Sequence, residues 1–108
     1  MIATALAVLT LAAPARVQVG ADEFKYALSR QTISAGPAIV QLANYGEDEH
    51  DLRLRRVGGT RVYRIGKVAP GGVSELEARF LPGRFRLWCS LADHRARGMS
   101  ATLVVKKN

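Results

Sequence analysis

From Arg16 onward, short runs of alternating apolar and polar residues are broken by Gly, Pro and Asn at intervals of about ten residues. No stretch carries an apolar stripe at helical spacing over a useful length. This pattern predicts an all-β chain folded as a sandwich or barrel. The predicted strands are Arg16–Val19, Phe24–Leu28, Gln31–Ser34, Ala38–Ala43, Asp51–Arg56, Thr60–Val68, Ser74–Phe80, Arg84–Trp88 and Ser100–Lys106. Between them stand turn signals such as Asn44-Tyr45-Gly46, Pro70-Gly71-Gly72 and Pro82-Gly83. There is no internal repeat and no second-domain boundary.

Strict alternation assigns faces to two of these strands. Phe85, Leu87 and Cys89 share one face, and Arg84, Arg86 and Trp88 the other. Likewise His50, Leu52 and Leu54 point one way, and Asp51, Arg53 and Arg55 the opposite way. His50 and Cys89 therefore each end an inward apolar stripe, at the rim of the expected core.

The 108 residues suffice for one domain with one core. A single cysteine excludes an internal disulfide framework and a Cys-rich zinc module. Sixteen Lys and Arg against nine Asp and Glu give a net charge of +7, which favours anionic partners. An aromatic content of 6% is too thin for a nucleic-acid stacking platform, so no nucleic-acid partner is expected.

Ile2–Ala13 is uncharged and apolar, shorter than the ~20 residues of a membrane-spanning helix. With Ala13-Pro14-Ala15 offering small residues for cleavage, residues 1–15 read as a signal peptide, although no Lys or Arg precedes the run. The expected mature domain is then 16–108, exported to the periplasm or outside the cell, a monomer without a membrane span.

The chemistry concentrates between the last two predicted strands, where Cys89, His94 and Met99 follow one another at intervals of five. Thiolate, imidazole and thioether form a soft donor set suited to copper, and two His, one Cys and a weak axial Met describe a blue-copper electron-transfer site. His50 is the one other imidazole in the chain. Using both histidines leaves none for a second copper centre, which argues against an enzyme.

These residues resemble those of the cupredoxins, the small blue copper proteins of the plastocyanin and azurin type. The resemblance runs from about Val17 to Val105 and is carried by Asn44-x-Gly46-x-x-x-His50, Pro70-Gly71-Gly72, Pro82-Gly83-x-Phe85 leading to Trp88-Cys89, and Cys89-x4-His94-x4-Met99. It implies a Greek-key β-sandwich of seven or eight strands. It also implies one copper ion, with His50, Cys89 and His94 as equatorial ligands and Met99 as the axial one. In similar proteins the loop histidine, here His94, offers a semi-exposed edge for electron passage.

Asn44, Asp51 and Asp93 are candidates for supporting the ligand loops. Asp93 stands where many family members have Gly, a position whose backbone can be left-handed. Asp51 replaces an Asn, and could pin the ligand loop differently or pair with Arg95. Leu91-Ala92 replaces a common Pro, which loosens the loop. Trp88 is a candidate for an electron route to a remote surface. Arg95 and Arg97 are candidates for steering a redox partner protein with an acidic docking surface. The competing readings are an extracytoplasmic copper chaperone or storage protein, and a metal-free interaction module of the same fold.

Overall fold

Each of the nine predicted segments forms a strand in the computed structural model, in which residues 13–108 are described. The strands are β1 (Ala15–Asp22), β2 (Lys25–Leu28), β3 (Thr32–Ser34), β4 (Gly36–Asn44), β5 (His50–Arg56), β6 (Val62–Val68), β7 (Val73–Phe80), β8 (Gly83–Trp88) and β9 (Ser100–Lys106). The apolar segment expected as a signal peptide lies almost wholly in residues 1–12, outside the described residues.

The strands form two sheets, ordered β2-β1-β4-β7 and β3-β9-β8-β5-β6. Pairing is antiparallel except for β1 with β4 and β3 with β9. The resemblance implied seven or eight strands and the structure has nine. The additional one arises because the chain crosses between sheets at Ser29–Gln31, leaving short β2 on the first sheet and shorter β3 on the second.

Burial follows the alternation. Val17, Val19 and Ala21 of β1 meet Val40 and Leu42 of β4, and across the sandwich lie Leu52, Leu54, Phe85, Leu87, Leu103 and Val105, all within one apolar core. Cys89 and Met99 belong to the same cluster, so the core continues into the loop that carries the donors. At this end β4 is closed by the Pro70-Gly71-Gly72 turn. Gly71, at φ 79°, donates its N–H to the Asn44 carbonyl (2.9 Å), and the Asn44 N–H reaches the Gly72 carbonyl (3.0 Å).

The pairing of β5 with β6 slips just after His50. His50 opposes Val68 but Leu52 opposes Ile65, so β6 carries one extra residue opposite Asp51. His50 and Leu52 both face inward, and Asp51 is turned toward the loop after β8.

Candidate metal centre

His50 begins β5 and is completely buried. The loop before it is held from two sides. The Asn44 amide donates to the carbonyls of Asp48 and Val68 (2.8 Å each), and its oxygen accepts the Gly46 N–H (2.9 Å). From the β1–β2 turn, Glu23 Oε1 accepts the N–H groups of Glu47 (2.7 Å) and Asp48 (2.6 Å) and sits 3.2 Å from His50 Nε2. These donors, led by the Asp48 N–H, hold the Glu23 carboxyl at about 2, below its ordinary 4.5. A Cβ at Gly46 would lie 2.5 Å from that carboxylate, so any larger residue there would have to push Glu23 off His50.

With Nε2 facing Glu23, the other ring nitrogen of His50 points inward. Nδ1 is buried and has no hydrogen-bond partner among the described residues. An unpaired buried nitrogen costs about 1–3 kcal/mol unless something binds it. What lies near it is the Cys89 thiol and the His94 ring. The donor atoms of His50, Cys89 and His94 all lie within 4.8 Å of one another, and Cys89 Sγ is 3.5 Å from His94 Nδ1. First-row metal bonds of about 2.0–2.3 Å place three trigonal donors roughly 3.5–4 Å apart, so a small inward shift brings the three groups onto a single ion.

Cys89 follows β8 directly and is completely buried, and burial pushes its thiol up. Its N–H donates to the Met99 carbonyl (3.2 Å), and the Met99 N–H donates to the His94 carbonyl (3.1 Å). These two bonds close the loop and bring Met99, also completely buried, into the cluster that contains Cys89. Besides Gly98, the left-handed residue of this loop is Ala92, at φ 44°, and not Asp93 as the comparison with Gly suggested. Ala92 and Asp93 are the two central residues of the turn closed by the His94 N–H on the Leu91 carbonyl (3.1 Å), and the first of them takes the left-handed conformation. Asp93 instead accepts from Arg97 Nε (2.8 Å), which lowers the Asp93 carboxyl and raises the guanidinium.

Asp51 pins the loop, as one of the two sequence readings held, but it does not pair with Arg95. Its oxygens accept the Ser90 N–H (2.7 Å) and the Ser90 hydroxyl, and Arg53 lies 3.5 Å away. The Tyr26 hydroxyl donates to the Asp51 carbonyl, and burial, with Cys89 and Asp51 nearby, pushes that hydroxyl up. Arg95 instead lies over the Trp88 ring, 4.8 Å from its centroid, and Arg97 over Phe24 at 4.9 Å.

The expected semi-exposed edge of His94 is covered: the residue is 7% exposed. Phe24 stacks at 4.7 Å between ring centroids, and Asp48 lies 3.6 Å from Nε2. Glu23, Phe24, Tyr26 and Ser90 were not read from the sequence as part of the site. Glu23 is 27 residues from His50, and no spacing or motif links them.

No protein-family model matches the chain, and no curated protein matches it in sequence. Solved structures do match. The reduced auracyanin of Roseiflexus castenholzii superposes with a TM-score of 0.72 at 16% identity, covering 88% of this chain and 99% of that one. Auracyanin A of Chloroflexus aurantiacus, a blue copper protein, gives 0.70 at 14% identity over 87% and 100%. The amicyanin of Paracoccus versutus gives 0.59 at 18% identity over 83% and 80%. The chain therefore has the cupredoxin fold, a single all-β domain of two packed sheets. Within that fold His50, Cys89, His94 and Met99 come together at one end.

Proposed function

We propose that this protein is a one-electron carrier that holds one copper ion through His50 Nδ1, Cys89 Sγ, His94 Nδ1 and, axially, Met99. The observation that carries this reading is the buried, unpartnered Nδ1 of His50 facing a thiol and a second imidazole. Bound copper supplies a Cu(II)/Cu(I) couple, and a soft Cys/Met donor set suits both states. The chain's part is to keep the donors in place. Glu23 orients the His50 ring, Asp51 clamps the loop at Ser90, and the sandwich keeps Cys89 and Met99 dry. Little rearrangement is then needed when the charge of the centre changes.

Both histidines are committed to one centre, so the protein passes electrons between partner proteins and is not an enzyme. We place it outside the cytoplasm, delivered by residues 1–15, with Asn44, Asp51 and Asp93 supporting the ligand loops. An acidic redox partner suits the +7 charge; of the two loop arginines, Arg95 lies over Trp88, where it can help steer such a partner, and Arg97 is paired with Asp93.

Titration of the purified protein with Cu(II) tests the reading. The carrier gives an intense red-absorbing band, narrow copper hyperfine splitting and one ion per chain. A colourless complex would assign the site to copper delivery or storage, and absence of binding would leave an interaction module. Cys89→Ser is expected to abolish the colour, and a blue variant would overturn the ligand assignment.

A further inference from the structure

The charge of the molecule is sorted by position. Five of its carboxylates, Glu23, Glu47, Asp48, Glu49 and Asp93, lie on the loops beside the two imidazoles. The outer face of the five-stranded sheet is the reverse. Arg53 and Arg55 of β5, Arg64 of β6, and Arg84 and Arg86 of β8 point away from the core, around Trp88. The five strands of this sheet contain one carboxylate, Asp51, which is buried, engaged with Ser90 and 3.5 Å from Arg53, so the other arginines have none.

The register makes this face costly for the isolated chain. Arg53 opposes Arg64 on one side and Trp88 on the other, and Arg55 directly opposes Arg86. Like charges at directly opposed positions destabilise a sheet. Solubility alone would be met by mixed signs. Trp88 offsets part of the repulsion, since Arg55 and Arg95 lie 6.0 and 4.8 Å from its centroid. Apart from Asp51, no carboxylate of this sheet is available to neutralise the rest.

We infer that the Arg53–Arg55–Arg64–Arg84–Arg86 face, centred on Trp88, is the docking surface for an acidic redox protein. Guanidinium forks match carboxylate pairs, and a partner bearing them supplies the counter-charges that this sheet lacks. The face contains one aromatic ring and no stacking groove, which disfavours nucleic acid. Its apolar side chains, half-buried Val62 and Val104 with exposed Val57 at its end, are too few to anchor it in a lipid surface. That the partner is a redox protein rests on the electron-carrier reading; the location of the surface does not. Trp88 is bonded directly to Cys89, so docking here places the partner one residue from the thiolate. One electron passes between the partner's centre and the copper, one being oxidised as the other is reduced, with no bond made or broken. The alternative approach, over His94, meets Phe24 and Asp48 with neighbouring carboxylates, and the guanidinium over Phe24, Arg97, is already paired with Asp93.

The test uses a plant-type ferredoxin, a strongly acidic one-electron carrier, as the probe. Amide shifts of the 15N-labelled full chain are followed during titration, and affinity is measured by calorimetry at low and high salt. Shifts are expected on β5 and β8 and at the Trp88 indole N–H. R55E/R84E/R86E is expected to lower affinity about tenfold or more at low salt, with the difference closing at high salt. R16E/R30E/R79E, which carries the same net charge but leaves this face intact, is expected to lower it less than about threefold. Equal losses in the two variants would reduce the effect to net charge and overturn the proposal, as would shifts confined to the Phe24–His94 end. Arginine-dependent binding to phosphatidylserine vesicles without ferredoxin binding would reassign the face to membranes. The blue band is read on the same samples. Its absence removes the carrier reading while the shift map still decides the surface, and its presence with an unmoved affinity removes the surface alone.

Discussion

Glu23 has three roles at once: it fixes the tautomer and tilt of His50, caps two backbone N–H groups, and brings a negative charge beside the centre. A carboxylate on the far nitrogen makes an imidazole a stronger donor and favours the more highly charged metal state. Glu23→Gln is therefore expected to weaken Cu(II) binding about 10–100-fold and to raise the reduction potential, measured by chelator competition and voltammetry. An unchanged potential would reduce Glu23 to a loop cap. The acid response has a definite sign. Because the folded-state carboxyl is lowered from 4.5 to about 2, its contribution is complete above the unfolded value and fades as pH falls from 4.5 through 2. Urea unfolding of the metal-free protein across that window should show a stability slope that Glu23→Gln flattens. Gly46→Ala should mimic the loss, since its methyl would occupy the carboxylate's place.

At the level of elements, the clamp between β5 and the ligand loop is a hydrogen-bonded carboxylate and a serine. Asp51→Ala leaves the Ser90 N–H and hydroxyl without their acceptor, an expected loss of about 1–3 kcal/mol in denaturant unfolding. Asp51→Asn keeps one oxygen for the Ser90 N–H and should cost much less; equal losses in the two variants would show that the charge matters more than the bonds. All nine strands were legible in the sequence, because alternation and Gly or Pro punctuation are local signals. So was the donor set, since Cys89, His94 and Met99 share one loop and His50 was the remaining imidazole. What depends on packing was hidden. Nothing local says that Phe24 covers His94 or that Asp51 turns toward Ser90 and not Arg95. That the predicted strands β2 and β3 fall on different sheets was equally invisible, because their pairing partners lie far along the chain.

For the whole molecule, the core is complete without an ion: the apolar cluster runs unbroken from β1 to β9 through the sandwich. The metal-free protein is thus expected to keep its β-sheet circular dichroism spectrum, with copper adding stability by binding the folded state. At a hundredfold excess over the dissociation constant that gain is about 2.7 kcal/mol, visible as a rise in Tm that a chelator reverses. A metal-free chain without cooperative unfolding would show that folding itself needs the ion. The position of β9 has a further consequence, for biosynthesis. This strand is the sole partner of β3 and lies between it and β8, so the second sheet cannot close until residues 100–106 have been made. His50 leaves the ribosome dozens of residues before Cys89, His94 and Met99, and waits for all three. A nascent chain thus has no assembled copper pocket, and the ion meets the polypeptide only after translation of the final strand.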